Sequence, residues 1–220
     1  MKRWTLAGAG WGLALTTTAA LRMGGWAVVT VESVPDFLVV GKATTLSFMV
    51  RQHAITVLPD LSPTVTATLG ARQVVARTVR VSGGYRADFT VPEAGDWQIQ
   101  IASGFGRSGS TLLPIRAIDA GSPPPAPLPD AERGRMLFAA KGCVTCHVHG
   151  GVAITGELSD FGPDLTTKRF AAQYLAQFFA DPSIKPAEKD KNQMPKPDLR
   201  QSDIPLLIAF INSERKTAAR

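Results

Sequence analysis

Cysteine is almost missing from this chain: there are two in 220 residues, at positions 143 and 146. A small secreted domain stapled by disulfides carries more cysteines at wider spacing, so that class is excluded and the pair needs another use. Long apolar runs are equally scarce. Only one is present, from Trp4 to Ala20, and it lies directly after Lys2 and Arg3. Charge of one sign is also in short supply: 24 Lys and Arg stand against 18 Asp and Glu, a formal net charge of +6. From Asp130 onward the balance is 13 against 11, and no basic stripe is interleaved with aromatics. That pattern excludes a nucleic-acid binder and suits docking to an acidic protein.

What is present divides the chain. Lys2 and Arg3 followed by the apolar run form an export signal, with small residues at Thr18 and Ala20 for cleavage, or a retained membrane anchor. Both readings place the bulk of the chain outside the cytoplasm, in the periplasm or on the outer face of the inner membrane. The stretch Gly121–Pro129 is rich in proline and supports neither helix nor sheet ladder, so it reads as a semi-rigid spacer. The expected divisions are a signal or anchor over 1–23, a β domain over 24–118, a linker over 119–129 and a helical domain over 130–220. The spacer carries the further expectation that the two halves fold separately.

Before the spacer, β-rich runs are separated by turn residues. Trp26–Val31, Thr44–Arg51, Thr64–Leu69, Val74–Val81, Tyr85–Val91, Trp97–Ala102 and Thr111–Ile118 predict about seven strands in an antiparallel sandwich of Ig-like size. After it, Asp130 is placed to cap a helix over 131–140. Ala171, Tyr174, Leu175, Phe178 and Phe179 follow helical spacing up to Asp181-Pro182. Ile204, Leu207, Ile208 and Ile211 repeat that spacing, with Ser202 as the cap. The fold expected here is all-α.

Cys143-Val-Thr-Cys146-His147 is C-x-x-C-H. Two thiols on one turn can each add to a vinyl group of haem, and the next residue then offers its imidazole to the iron. A thioredoxin-like pair needs a βαβ context, which is missing. A zinc site completed by His149 would crowd four ligands into seven residues. The expected cofactor is therefore one covalent haem c, held by Cys143 and Cys146 with His147 as proximal ligand. Met194, 47 residues after His147, is the expected sixth ligand, because Pro195 and Pro197 keep its surroundings as a loop. Met136 is the competitor within the helical half. Met23 and Met49 precede the spacer, and His149 stands too close to His147 to reach the other face.

Residues 130–215 resemble a class I monohaem cytochrome c. In that resemblance Gly134 and Phe138 of the first helix pack on Leu207 and Phe210 of the last. The carbonyl of Pro163, within Gly162-Pro163-Asp164-Leu165, accepts the proximal histidine's N–H. The N-terminal half resembles the FixH/YtkA-like β-sandwich family at Trp26–Val31, at Arg51-Gln52-His53 and at Ala94–Ile99. Members of that family accompany respiratory oxidases or copper handling.

Weaker signals stand beside these. His53 and Met49, about 13 Å apart on a straight strand, cannot share a copper ion without a bend. Gly104-Phe-Gly-Arg-Ser-Gly109 spells G-x-G-x-x-G but precedes a strand-like run, so it reads as a hairpin loop rather than a dinucleotide site. Lys185, Lys189, Lys191, Lys196 and Arg200 form a basic rim around Met194, interleaved with Glu188, Asp190 and Asp198. The function expected is an exported, non-enzymatic electron carrier or redox subunit, docked on a redox partner protein or a membrane redox complex. The alternative is a copper-handling or redox-sensing protein whose sandwich binds metal or partner. A haem peroxidase would need an open sixth position, which Met194 argues against.

Overall fold

The protein is described by a computed structural model covering residues 25–152, 161–186 and 193–213. The expected export segment, 1–23, lies outside the described residues. Among those residues, no helix is long and apolar enough to cross a membrane.

The described residues form eleven strands: β1 (Ala27–Val31), β2 (Leu38–Val39), β3 (Ala43–Gln52), β4 (Thr56–Val57), β5 (Thr64–Leu69), β6 (Arg72–Val75), β7 (Arg77–Val81), β8 (Gly84–Thr90), β9 (Gly95–Ala102), β10 (Gly109–Thr111) and β11 (Ile115–Ile118). One sheet runs β1-β3-β8-β7, with β4 on β3; the other runs β2-β11-β9-β5-β6, with β10 on β9. Alternation decides which side chains enter the core between the sheets. Leu46, Phe48 and Val50 of β3 face Trp97, Ile99 and Ile101 of β9 in one buried cluster. Each such side chain contributes about 1.5–3 kcal/mol when fully buried.

Two of the seven expected runs are divided. Val74–Val81 was expected as one strand, but it changes sheet at Ala76. The Ala76 N–H still donates to Val65 O at 2.8 Å, as β6 does to β5, whereas β7 then pairs with β8. Thr111–Ile118 breaks at Pro114, and its two pieces both pair with β9. Nor is the sandwich wholly antiparallel, because β2 lies parallel to β11, with Leu38 opposite Ala117. Strands of two residues such as β2 and β4 are too short to show alternation, so the sequence pattern missed them.

The larger correction concerns the second half. Among the described residues the protein is mainly β, with two sheets and three short helices: α1 (Asp130–Ala140), α2 (Ala172–Ala180) and α3 (Asp203–Ile211). The expected all-α class I cytochrome c fold of the second half is corrected accordingly. Prolines at 163, 182, 186, 195 and 197 confine helix to short pieces, since each removes an N–H and restricts the residue before it. α1 also shares the sandwich core, into which it sends Met136 and Ala140. Arg133 pairs with Asp36, and Leu113 borders both hydrophobic clusters. The spacer from Gly121 to Pro129 is exposed throughout.

Around α1 and α3 a second cluster gathers Leu137, Phe138, Leu175, Phe179, Leu207, Phe210 and Ile211. The Phe138 and Phe210 rings lie 5.4 Å apart. Neither expected cap makes a side-chain bond: Pro129 occupies the cap position of α1, and Ser202 that of α3. Asp203 takes over at α3 by accepting from the Arg200 backbone N–H at 3.1 Å.

Asp203 is also the acceptor for a buried ammonium. Lys141 Nζ lies 3.2 Å from Asp203 Oδ2, with the two side chains 3% and 1% exposed, and donates to Glu32 O at 2.8 Å. Arg200 Nη2 completes the cluster at 2.8 Å. Burial by itself raises the Asp203 carboxyl, but the Arg200 side chain and backbone, with Lys141, outweigh it and hold it below its ordinary value. A carboxyl depressed on folding stabilises above its unfolded pKa of about 3.9, and that stability is lost as pH falls through the lower folded value. Asp203→Asn should cost about 3 kcal/mol at neutral pH in denaturant unfolding. The gap to the wild type should narrow as pH drops below about 4. A gap unchanged between neutral and strongly acid pH would sink this assignment.

Candidate functional site

The site is built where α1 ends. Lys141 is fixed by Glu32 and Asp203, and Gly142 then takes φ +76°. A Cβ on Gly142 would sit 2.3 Å from Val28 Cγ1 and 2.8 Å from Val29 O, so both its dihedral and its contact with β1 require glycine. A 3₁₀ turn over Cys143–Thr145 follows. Within it the Cys146 N–H donates to Cys143 O at 3.2 Å and the His147 N–H to the same oxygen at 2.9 Å. Both thiols and the imidazole thus leave a single tight turn that rests on the sandwich. No disulfide joins the two cysteines, which are partly buried.

His147 Nδ1 lies 3.0 Å from Pro163 O. A carbonyl can only accept, so Nδ1 carries the hydrogen and Nε2 keeps its lone pair. Burial holds the imidazole below its ordinary pKa, against the opposing pull of the Pro163 carbonyl, and so favours the neutral ring. Gly162 makes the approach possible. A Cβ there would lie 2.4 Å from His147 Cε1, while its N–H donates to Cys146 O at 2.9 Å.

A cavity of about 630 Å³ opens above this turn. Its lining includes Cys143, Cys146, His147 and Pro163 together with Met194 and the loop that runs on to Asp198. All five sequence-predicted site residues therefore border one space. The other wall comes from the sandwich: Trp26, Val28 and Thr30 of the β1 region, with Arg51 and His53. Trp26 packs its ring 5.3 Å from Phe161 and 5.5 Å from His53. Gln193 Nε2 donates to Pro182 O at 2.8 Å at the start of the Met194 loop.

The competing residues point elsewhere. Met136 is in the sandwich core. His149 is 3% exposed, wedged 4.2 Å from the Phe210 ring and 5.9 Å from Phe138. The Met49 sulfur accepts from Arg51 Nη2 at 3.3 Å. Met23, Lys189, Lys191, Glu188 and Asp190 lie outside the described residues, and Arg200 is committed to Asp203. Gly104–Gly109 connects β9 to β10 as a hairpin. Among the described residues, no group of three or more His, Cys, Asp or Glu side chains is placed to hold a metal ion.

Sequence reasoning missed the sandwich wall. Arg51 and His53 offered a signal in retrospect: a cation and an imidazole at the end of a strand whose other faces are spoken for. His53 and Ala54 also adopt positive φ, 53° and 60°, in a turn that no glycine announces.

The Cys143 thiol is pushed up to about 12, chiefly by burial and then by the neighbouring Cys146. A protonated thiol of that kind is the reverse of the acidic nucleophile of a thiol–disulfide pair. The donor set of two thiols, a neutral imidazole with Nε2 open and a thioether around one cavity fits a covalently attached haem. The volume falls within the roughly 300–1,000 Å³ of cofactor pockets.

No protein-family model and no curated protein matches the chain. Seven chains of solved structure match it. One is the ZirS C-terminal domain, at 12% identity and a TM-score of 0.33, over 54% of this chain and 85% of that one. The resemblances to class I cytochrome c and to the FixH/YtkA-like family are therefore corrected. The chain is a mainly β protein with no family match, and the labels cytochrome and haem protein find no support in these comparisons.

Gly162→Ala should push the 161–163 loop off the His147 ring. Denaturant unfolding should show a loss of about 1–3 kcal/mol, and the His147 imidazole resonances should move. Unchanged stability and resonances would mean the contact is absent in solution.

Proposed function

We propose that this is an exported single-electron carrier or redox subunit that binds one haem c. In this reading Cys143 and Cys146 would hold the group covalently, and His147 and Met194 would ligate its iron. The observation that carries the reading is the convergence of two thiols, a neutral imidazole and a thioether on one cavity. When bound, such a group supplies one-electron chemistry at iron.

The chain's own residues do the rest. Pro163 O holds the His147 N–H, which fixes the tautomer and leaves Nε2 its lone pair. Gly162 lets that loop lie close against the ring. Trp26, Val28 and Phe161 give the space an apolar wall. Met194 offers a neutral thioether, which favours the reduced state and fills the position an oxygen-activating enzyme would leave open. No side chain is assigned acid–base or nucleophilic work, so the reading is electron transfer and not catalysis. The setting it implies is extracytoplasmic, with a redox protein or a membrane redox complex as partner.

The test is expression of the full chain with a functional haem-attachment system. A haem-stained band that survives denaturing electrophoresis and acid-acetone extraction is expected. The oxidised protein should show the weak far-red absorption of an iron–thioether bond, and Met194→Ala should abolish it. Haem lost to acid-acetone would overturn covalent attachment; a band abolished by Met136→Ala instead would overturn the Met194 assignment.

A further inference from the structure

The loop that carries Met194 has no helix or strand to stiffen it. It is held at its far end by a residue of the sandwich. Arg51 Nη2 lies 3.2 Å from Asp198 Oδ2, four residues beyond Met194, across 147 positions of sequence. Arg51 is 18% exposed, and its own position is set from the strand side: Nη2 reaches Met49 Sδ at 3.3 Å and Nη1 reaches Thr30 Oγ1 at 3.5 Å. Pro195 and Pro197 stiffen the intervening backbone, so a fixed Asp198 limits where Met194 can go. The other loop of the site is met by the same part of the sandwich, through Trp26 on Phe161 at 5.3 Å.

We propose that Arg51 is a positioning residue for the Met194 thioether: the sandwich braces the ligand loop through the Arg51–Asp198 pair. This rests on the haem reading above. Loss of the brace leaves the thioether in place for less of the time, so an added ligand competes with it more easily. Both residues line the cavity; Arg51 is the shielded end of the pair and Asp198 the exposed end, so salt screens the attraction while the strand contacts keep the Arg51 anchor in place.

The experiment uses the full chain. Arg51→Gln, Asp198→Asn and the exchange Arg51→Asp with Asp198→Arg are compared with the wild type by far-red absorption, reduction potential and imidazole binding. Each single variant should bind imidazole about fivefold more tightly, weaken the far-red band and lower the potential. The exchange should restore most of all three. Asp198 is 52% exposed, so Asp198→Asn should leave folding intact. A wild type without covalent haem or without the thioether band overturns the proposed function itself. A wild type with both, and single variants whose band, potential and imidazole affinity match it, overturns the brace alone. Single variants that differ while the exchange rescues nothing also overturn the brace, since the pair is then not the cause.

Discussion

One buried ammonium organises this molecule. Lys141 stands at the end of α1, yet its charge is neutralised by Asp203 at the start of α3, and it also donates to the Glu32 carbonyl just beyond β1. A cation 3% exposed is tolerable only with such partners. The same two contacts draw α1, α3 and the sandwich to one point. The C-x-x-C-H turn begins two residues later, so the position of both thiols is inherited from this ion cluster. Gly142 adds the sharp turn, itself packed closely against Val28 and Val29.

From that point the cavity is assembled by loops rather than by helices. Loops carry function where a rigid scaffold positions them, and here the scaffold is the edge formed by β1 and β3. It meets the Phe161–Pro163 loop through Trp26 and the Met194–Asp198 loop through Arg51. The first loop supplies the acceptor for His147. The second supplies the thioether. Each therefore has one contact that is chemical and one that is mechanical, and the mechanical one comes from the sandwich in both cases.

Sequence made local features legible and long-range ones not. The alternation of Leu46, Phe48 and Val50 showed a half-buried strand, and the spacing in 171–179 and 204–211 showed two helices, because period and burial are written residue by residue. Cys143, Cys146 and His147 came from a motif, Met194 from the scarcity of alternatives after it, and Pro163 from the family resemblance alone. What was lost depended on contacts across more than a hundred positions. Nothing in Val74–Val81 says that Ala76 is where the chain leaves one sheet for the other. Nothing in Asp198 names Arg51. The all-α expectation failed for a related reason. Helical spacing identified two segments and the Asp130 signal a third, but the family likeness then supplied an all-α fold that the mainly β chain does not have.

That failure changes the meaning of the β half. A proline spacer between two folds suggests a tether that lets one part search for its partner while the other stays docked. Yet α1 places Met136 and Ala140 in the sandwich core, and the cavity has walls from both sides of the spacer. The helices gather a core of their own around Phe138, Leu207 and Phe210, and the cavity takes its second wall from the sandwich through Trp26, Val28 and Arg51. The β half therefore belongs to the site's construction before it belongs to any partner.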